Sequence, residues 1–236
     1  MPFDTPARIS TREQVLASDA SQVERRFMTA VYRWMTLGLA VTALVAYSVA
    51  TSEAALQFVF GNRFVFFGLI IAEFGLVLGL TAAAGRLSVT TAGGLFLLYS
   101  ALNGATLSIV LLAYTGSSVA AAFGSTAATF GAMSVYGTVT RRDLSSWGSF
   151  LFMGLLGVVI ASVVNVFLRS DMMSFVISCV AVVVFTGLAA YDTQKLRAFA
   201  RAGGGAAAMA VNGALTLYLD FVNLFLALLR LFGKRR

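Results

Sequence analysis

Three carboxylic acids stand inside long apolar stretches of the chain. Asp220 lies in LTLYLDFVNLFLALLRLF, Asp192 in GLAAYDTQKLRAF and Glu73 in LIIAEFGLVLGL. An ionisable group at membrane depth costs free energy, so it usually faces the interior of a helix bundle and marks an ion or proton pathway. The alternatives are structural: a hydrogen bond between helices, or a solvated helix end for Asp192, which has Lys195 nearby.

Asp220 belongs to a narrow polar stripe on the last apolar segment. At about 100° per residue, five polar residues fall within an arc of roughly 80° on one helix: Asn212, Thr216, Asp220, Asn223 and Arg230. Tyr218 points away from this arc. Hydrogen bonds between helices would explain Asn and Thr, but the carboxylate favours an ion pathway lined by Asn212, Thr216 and Asn223.

Asp192 and Asp220 lie on consecutive segments joined by a flexible RAGGGAAA linker. With a turn centred near Gly204, straight helices leave the acids offset by about four residues, roughly 6 Å; tilt or an asymmetric turn would absorb this. Two adjacent carboxylates do not both ionise easily, so a close pair would hold a proton at mildly acidic pH and release it as the pH rises. The ionised pair would suit a hard cation such as Ca²⁺.

Arg86 is a candidate gate residue at the end of the second apolar segment. It is expected at a depth similar to that of Asp192, where an ion pair between the two would hold a gate closed. A plain loop charge is the alternative. Glu73 and Arg86 are 13 residues apart, about 140° around the helix, so they do not share a face.

The composition predicts lipid as the surroundings of these residues. Of 236 residues, 59% are hydrophobic and 11% are charged, whereas a soluble domain carries about 25% charged residues. Seven apolar runs are long enough to span a bilayer and predict an all-α bundle of seven transmembrane helices: 29–50, 64–84, 89–113, 119–139, 148–168, 172–191 and 207–229. Small residues four apart, such as Gly75 and Gly79, predict close helix packing.

The chain divides into three parts: an amino-terminal tail of residues 1–26, a transmembrane domain of residues 27–232 and a basic tail of residues 233–236. Eleven bases lie on the side of the amino terminus, which is therefore expected in the cytoplasm: Arg8, Arg12, Arg25, Arg26, Arg33, Arg86, Arg141, Arg142, Lys195, Arg197 and Arg201. Seven spans place the basic end RLFGKRR on the opposite side of the membrane, although basic residues usually lie on the cytoplasmic side. We favour seven spans over a last segment that re-enters, because residues 207–229 are long enough to cross.

The residue types exclude several classes of function. The chain has no histidine, so histidine catalysis, histidine-ligated zinc and a histidine pH switch are excluded. The net charge of +7 is spread over loops, and neither a nucleic-acid partner nor a cofactor is predicted. We predict no enzyme, because neither aspartate has the Gly-x-Gly-Asp context expected of a membrane aspartyl protease.

Four stretches resemble, in their order and spacing, the bacterial branch of the Bax inhibitor-one family: LLYSALNGATLS, FGAMSVYGTVTRRDLS, FTGLAAYDTQKL and LYLDFVNLFLALLRLFG. The resemblance covers about residues 25–233. It implies a seven-helix bundle with the last helix in the centre, and a pH-sensitive Ca²⁺ leak whose aspartate sensor matches Asp192 and Asp220. Glu73 matches an acid that the family often has in span two. The family's arginine near the end of that span is matched by alanine in GLTAAAGRLS, with Arg86 two or three residues later.

Two functions from different classes follow. The first is a passive, pH-sensitive calcium or cation leak in a bacterial cytoplasmic membrane. The alternative is a membrane interaction protein that modulates a membrane-bound protease or stress and cell-death machinery, which the resemblance also implies. The lipid bilayer is the partner common to both, and no oligomeric state is predicted.

Overall fold

The computed structural model describes the backbone of residues 11–236 and the side chains of residues 20–236. Its helices are α1 (Thr11–Ala50), α2 (Glu53–Phe60), α3 (Arg63–Ala82), α4 (Val89–Ala113), α5 (Gly116–Val139), α6 (Ser145–Leu168), α7 (Asp171–Phe199) and α8 (Ala207–Phe232), with a π-helical turn at Ala200–Gly204. Of the predicted tail, residues 1–10, which include Arg8, and the side chain of Arg12 lie outside the described residues. Residues 11–26 already belong to α1.

In the described part of the chain, seven helices are long and apolar enough to cross a membrane. The first span is Ala20–Ala50 within α1. The next four are the helices α3, α4, α5 and α6. The sixth is α7 extended through the turn to Gly204, and the seventh is α8. The short α2 lies between the first two spans, and no sheet occurs among residues 11–236. The predicted all-α fold with seven spans is confirmed.

Helix α8 is the centre of the bundle. It packs against α1, α3, α4, α5 and α7, and Leu217, Tyr218 and Leu224 on it are fully buried. Helices α3 and α6 are peripheral instead and expose large apolar side chains such as Phe74 and Phe150. The last helix is thus surrounded by other helices. Its length and apolar composition alone would equally suit a span at the lipid-facing edge of the bundle.

Close helix contacts occur at glycines other than the predicted ones. A Cβ at Gly75 or Gly79 would meet nothing within 4 Å, so the expectation of close packing there is wrong. A Cβ at Gly137 would instead meet the backbone of Ala190, where α5 crosses α7. A Cβ at Gly104 would lie 2.6 Å from Thr42 O, where α4 packs on α1. Around Gly75 and Gly79, α3 therefore has no neighbouring helix within contact distance among the described residues.

The carboxyl end of the chain is fixed to the connection between α4 and α5. Thr115 N donates to Lys234 O at 3.1 Å, and Arg236 N donates to Ala113 O at 3.0 Å. Tyr114 forms an antiparallel bridge with Arg235. Because this connection lies at the far end of the bundle from the π-helical turn, α8 crosses the whole bundle, and the re-entrant alternative is not observed.

Candidate functional site

Asp192 of α7 and Asp220 of α8 come together inside the bundle. Only 9% of Asp192 and 5% of Asp220 are exposed. Their carboxyl groups are close enough to interact directly. Asp220 Oδ2 has no hydrogen-bond partner in the described part of the chain. The structure therefore brings together the two acids that the sequence predicts as a pair.

The connection between α7 and α8 removes most of the offset expected between these acids. The chain continues past α7 through Ala200–Gly204, which contains a kink at Gly203, and α8 begins after Gly205 and Ala206. Gly203 in this turn has φ of 89°, a conformation that favours glycine. Asp192 lies 13 residues before Gly205 and Asp220 lies 14 residues after Ala206, an offset of about one residue or ~1.5 Å along the helices. We call this end of the bundle the turn end.

A cavity of about 640 Å³ lies beside the acid pair, between α6, α7 and α8. Its polar lining comprises Ser145, Ser149, Tyr191, Asp192, Lys195, Thr216, Asp220 and Asn223. Phe152 and Phe185 belong to its apolar wall. They lie about two turns or more deeper than Ser145 and Lys195 along their helices. The cavity is therefore polar toward the turn end and apolar toward the middle of the bundle.

The five residues of the polar stripe on α8 do not all line the cavity of the acid pair. Thr216 and Asn223 line the cavity together with Asp220. Asn212 does not, and its Oδ1 atom is buried without a hydrogen-bond partner among the described residues. Arg230 is exposed near the far end of α8. Helical spacing thus places three of these five residues in the cavity wall, because the stripe is longer than the cavity.

Glu73 lies in a separate polar network. Its carboxylate accepts hydrogen bonds from Thr106 Oγ1 at 2.9 Å and from Asn103 Nδ2 at 3.3 Å. Tyr218 of α8 is fully buried, donates to Asn103 Oδ1 at 3.0 Å and lies 2.6 Å from Thr42 Oγ1. This network joins α1, α3, α4 and α8. The structure does not bring Glu73 to the cavity of the acid pair.

Sequence reasoning missed the partners of Glu73. Asn103 and Thr106 are three residues apart in ALNGATLS, and this spacing on one helix face is the signal that could have found them. Tyr218 and Asp220 are two residues apart, about 200° around α8. The central helix therefore directs its acid toward α7 and its tyrosine toward α4.

Gln194 holds the loop between α5 and α6 against α7. Its Oε1 accepts from Leu144 N at 2.8 Å, and its Nε2 donates to Arg142 O at 2.9 Å. In the same loop the Ser145 N–H donates to Asp143 Oδ1 at 2.9 Å. This backbone hydrogen bond holds the pKa of the Asp143 carboxyl below its ordinary value. Because Ser145 lines the cavity, these contacts fix the rim of the cavity at the turn end.

Glu24 binds the two arginines near the end of α7. Its carboxylate pairs with Arg197 and Arg201, and Arg197 also donates to Thr138 O. The cluster ties α1 to α5, α7 and the π-helical turn. Lys195 takes no part in it, and within residues 20–236 it has no carboxylate at ion-pair distance.

Comparison with known proteins identifies the family. A family model described as "Inhibitor of apoptosis-promoting Bax1" matches residues 24–236. The chain belongs to this family, the Bax inhibitor-1 family. Inner membrane protein YbhL of Escherichia coli is 49% identical over 215 residues, which cover 89% of this chain and 92% of YbhL.

Two further relatives of the family are similarly close. An uncharacterized protein of Deinococcus radiodurans is 46% identical over 214 residues, or 89% of this chain and 91% of the relative. An uncharacterized protein of Borreliella burgdorferi is 44% identical over 218 residues, which cover 91% of this chain and 94% of the relative. The name of YbhL and the seven spans confirm the predicted multi-pass integral membrane location.

Arg86 does not join the acid pair of this Bax inhibitor-1 family member. It lies exposed in the turn after α3 and forms no ion pair with a described residue. The preceding Ala83 and Ala84 carry no charge, and Ala84 is buried. The base whose charge acts on Asp192 is instead Lys195, three residues further along α7.

The oxygen groups of the cavity are too few to fill the coordination shell of a Ca²⁺ ion by themselves. Asp192, Asp220, Thr216 and Asn223 supply carboxylate, hydroxyl and amide oxygens, whereas Ca²⁺ takes about six to eight oxygen ligands. Within the described side chains, no three acids, histidines or cysteines gather into a metal-binding group. Water would therefore complete the shell of a Ca²⁺ ion at Asp192 and Asp220, the two residues predicted as its ligands.

Proposed function

We propose that this protein is a pH-sensitive passive leak for cations, with Ca²⁺ as the expected ion and the pair Asp192–Asp220 as its sensor. One observation carries the proposal: two buried carboxyl groups from consecutive spans interact in the wall of a cavity. The proposal includes no cofactor and no enzymatic reaction.

A purely structural role explains the acid pair less well. Helices can be joined by uncharged groups, as the Tyr218–Asn103 hydrogen bond shows. A carboxyl group at membrane depth adds a cost that such joining does not require. Asp220 Oδ2 moreover has no partner within the described residues. These features support a role in which the acid exchanges a proton or a cation.

The chemistry of the pair gives the leak its pH dependence. Two carboxyl groups this close ionise in coupled steps and share a proton at mildly acidic pH. With the shared proton the pair attracts cations weakly. As the pH rises the proton leaves, and the second negative charge draws a cation into the cavity. We therefore expect flux to increase with pH.

The apolar wall of the cavity favours a closed resting state. Phe152 and Phe185 lie beyond the acid pair as seen from the turn end, and a hydrated cation does not cross such a wall. Passage requires movement of α6, α7 or α8. The contacts of α6 are suited to such movement, because it packs mainly on α7 at the edge of the bundle.

The test is Ca²⁺ entry into liposomes that contain the purified protein. Flux is measured between about pH 5 and pH 8, where a coupled acid pair is expected to exchange its proton. Wild-type flux should rise with pH, and Asp220→Asn should remove this rise. Asp171→Asn, at the exposed start of α7 and outside the cavity, is the control and should behave as wild type. A normal pH profile in Asp220→Asn contradicts the proposal.

The description of the family model favours a second candidate. The description "Inhibitor of apoptosis-promoting Bax1" names a function that is exerted on another protein. For this chain the corresponding proposal is a membrane protein that modulates a membrane-bound protease or stress machinery. Ca²⁺ flux no greater than that of empty liposomes at every pH, together with co-purification of one membrane partner, would favour it over the leak.

A further inference from the structure

Lys195 is the base that lines the cavity of the acid pair. No other lysine or arginine of the described residues lines that cavity. Lys195 and Asp192 are three residues apart on α7 and therefore share a helix face. The charge of Lys195 acts on Asp192, although no ion pair joins them.

The ammonium group of Lys195 lies against an aromatic ring of the same helix. Lys195 Nζ lies 5.6 Å from the centroid of the Tyr191 ring, within the range of a cation–π interaction. Arg197, two residues further along, is bound by Glu24. Lys195 has no such carboxylate partner, and its flexible four-carbon stem lets the charge move.

We propose that Lys195 is a tethered cation that competes with the permeant ion for the pair Asp192–Asp220. This inference rests on the proposed leak and specifies one of its determinants. With both acids ionised, the cavity wall carries two negative charges and one positive charge. An entering divalent cation is attracted by the acids and repelled by the ammonium group. For the cation to bind, the ammonium group has to move away from the acids. The flexible lysine stem permits this movement.

The expected effect follows from the charges. Removal of one positive charge about 7 Å from a divalent ion strengthens binding of that ion roughly five- to tenfold, even in a water-like dielectric. Lys195→Gln should therefore lower the Ca²⁺ concentration that gives half-maximal flux by this factor. Lys195→Arg keeps the charge and should stay close to wild type. If Lys195 only packs its stem on Tyr191 or orients the helix, Lys195→Gln and Lys195→Arg should have the same half-maximal Ca²⁺ concentration.

The experiment measures flux into liposomes against Ca²⁺ concentration at the alkaline end of the pH range. Wild type, Lys195→Gln and Lys195→Arg are compared with Arg141→Gln, which removes an exposed base from the loop between α5 and α6. The inference predicts a lower half-maximal concentration for Lys195→Gln alone. An equal shift in Arg141→Gln would mean that general surface charge is responsible and would overturn it.

Asp220→Asn, measured in the same series, separates this inference from the proposed leak. If Asp220→Asn lowers flux while Lys195→Gln has a wild-type concentration dependence, the leak stands and the competing role of Lys195 is wrong. If Asp220→Asn leaves flux unchanged, the leak is wrong, and the inference falls with it. Binding of Ca²⁺ to the detergent-solubilised variants, measured by calorimetry, should show the same order of affinities.

Discussion

Tyr218→Phe should destabilise the bundle and leave the pH response of the leak intact. The Tyr218 side chain is fully buried in the centre of the protein. Its hydroxyl donates to Asn103 Oδ1 at 3.0 Å and lies 2.6 Å from Thr42 Oγ1. The substitution removes only this hydroxyl from the network that joins α1, α3, α4 and α8.

The expected cost comes from the partners left behind. The ring itself remains, with its edge contacts to Phe96 and Tyr99 at centroid distances of 5.7 Å. Buried polar groups that lose their partner cost about 1–3 kcal/mol each, whereas hydrogen bonds between membrane helices average about 0.6 kcal/mol. We therefore expect a loss of about 1–2 kcal/mol in the free energy of unfolding. For a protein of this size that corresponds to a fall in Tm of about 2–8 °C.

Thermal unfolding of the detergent-solubilised protein measures this effect. Tyr136→Phe is the control, because the side chain of Tyr136 is 41% exposed and its hydroxyl makes none of these contacts. Its Tm should equal that of wild type. The reasoning is refuted if Tyr218→Phe unfolds at the wild-type temperature, or if it alters the pH profile of flux as much as a substitution of Asp220 does.

Two further substitutions test how the helices are held around the site. Gly137→Ala should lower Tm, because the new Cβ meets the backbone of Ala190 and such overpacking costs about 1–3 kcal/mol; Gly131→Ala, with nothing within 4 Å, should not. Glu24→Gln should cost about 1–2 kcal/mol, since it leaves the guanidinium of Arg197 without its carboxylate. Salt should reduce the difference between Glu24→Gln and wild type, and a salt-independent difference would argue against an electrostatic origin.

The seven spans could be predicted because lipid imposes a simple rule on the sequence. A helix that crosses the bilayer needs about 20 apolar residues, and each of the seven predicted runs overlaps one observed span. The pairing of Asp192 with Asp220 was foreseeable for a related reason, since consecutive antiparallel spans are neighbours. The axial match of these acids was not foreseeable, because it depends on where the chain reverses after α7. Gly203 leaves the helical conformation there, and nothing in RAGGGAAA specifies which of its glycines does so.

Contacts between distant helices were the part that sequence spacing could not supply. The helical arc of α8 excluded Tyr218 from the predicted site, and only the packing of α4 shows that this tyrosine serves the network of Glu73. Arg86 was placed near Asp192 from its depth along α3. Depth alone does not bring two residues together, because α3 packs mainly on α4 and hardly on α7.

The measurement that tests the central claim most directly is a double-mutant cycle on the pH profile of Ca²⁺ flux. It compares wild type, Asp192→Asn, Asp220→Asn and the double variant in the same liposomes. Two groups that share one proton act as a unit, so either single substitution should already abolish the pH dependence, and the second should add little. Independent effects that multiply in the double variant, or a pH dependence that survives either single substitution, would contradict the account.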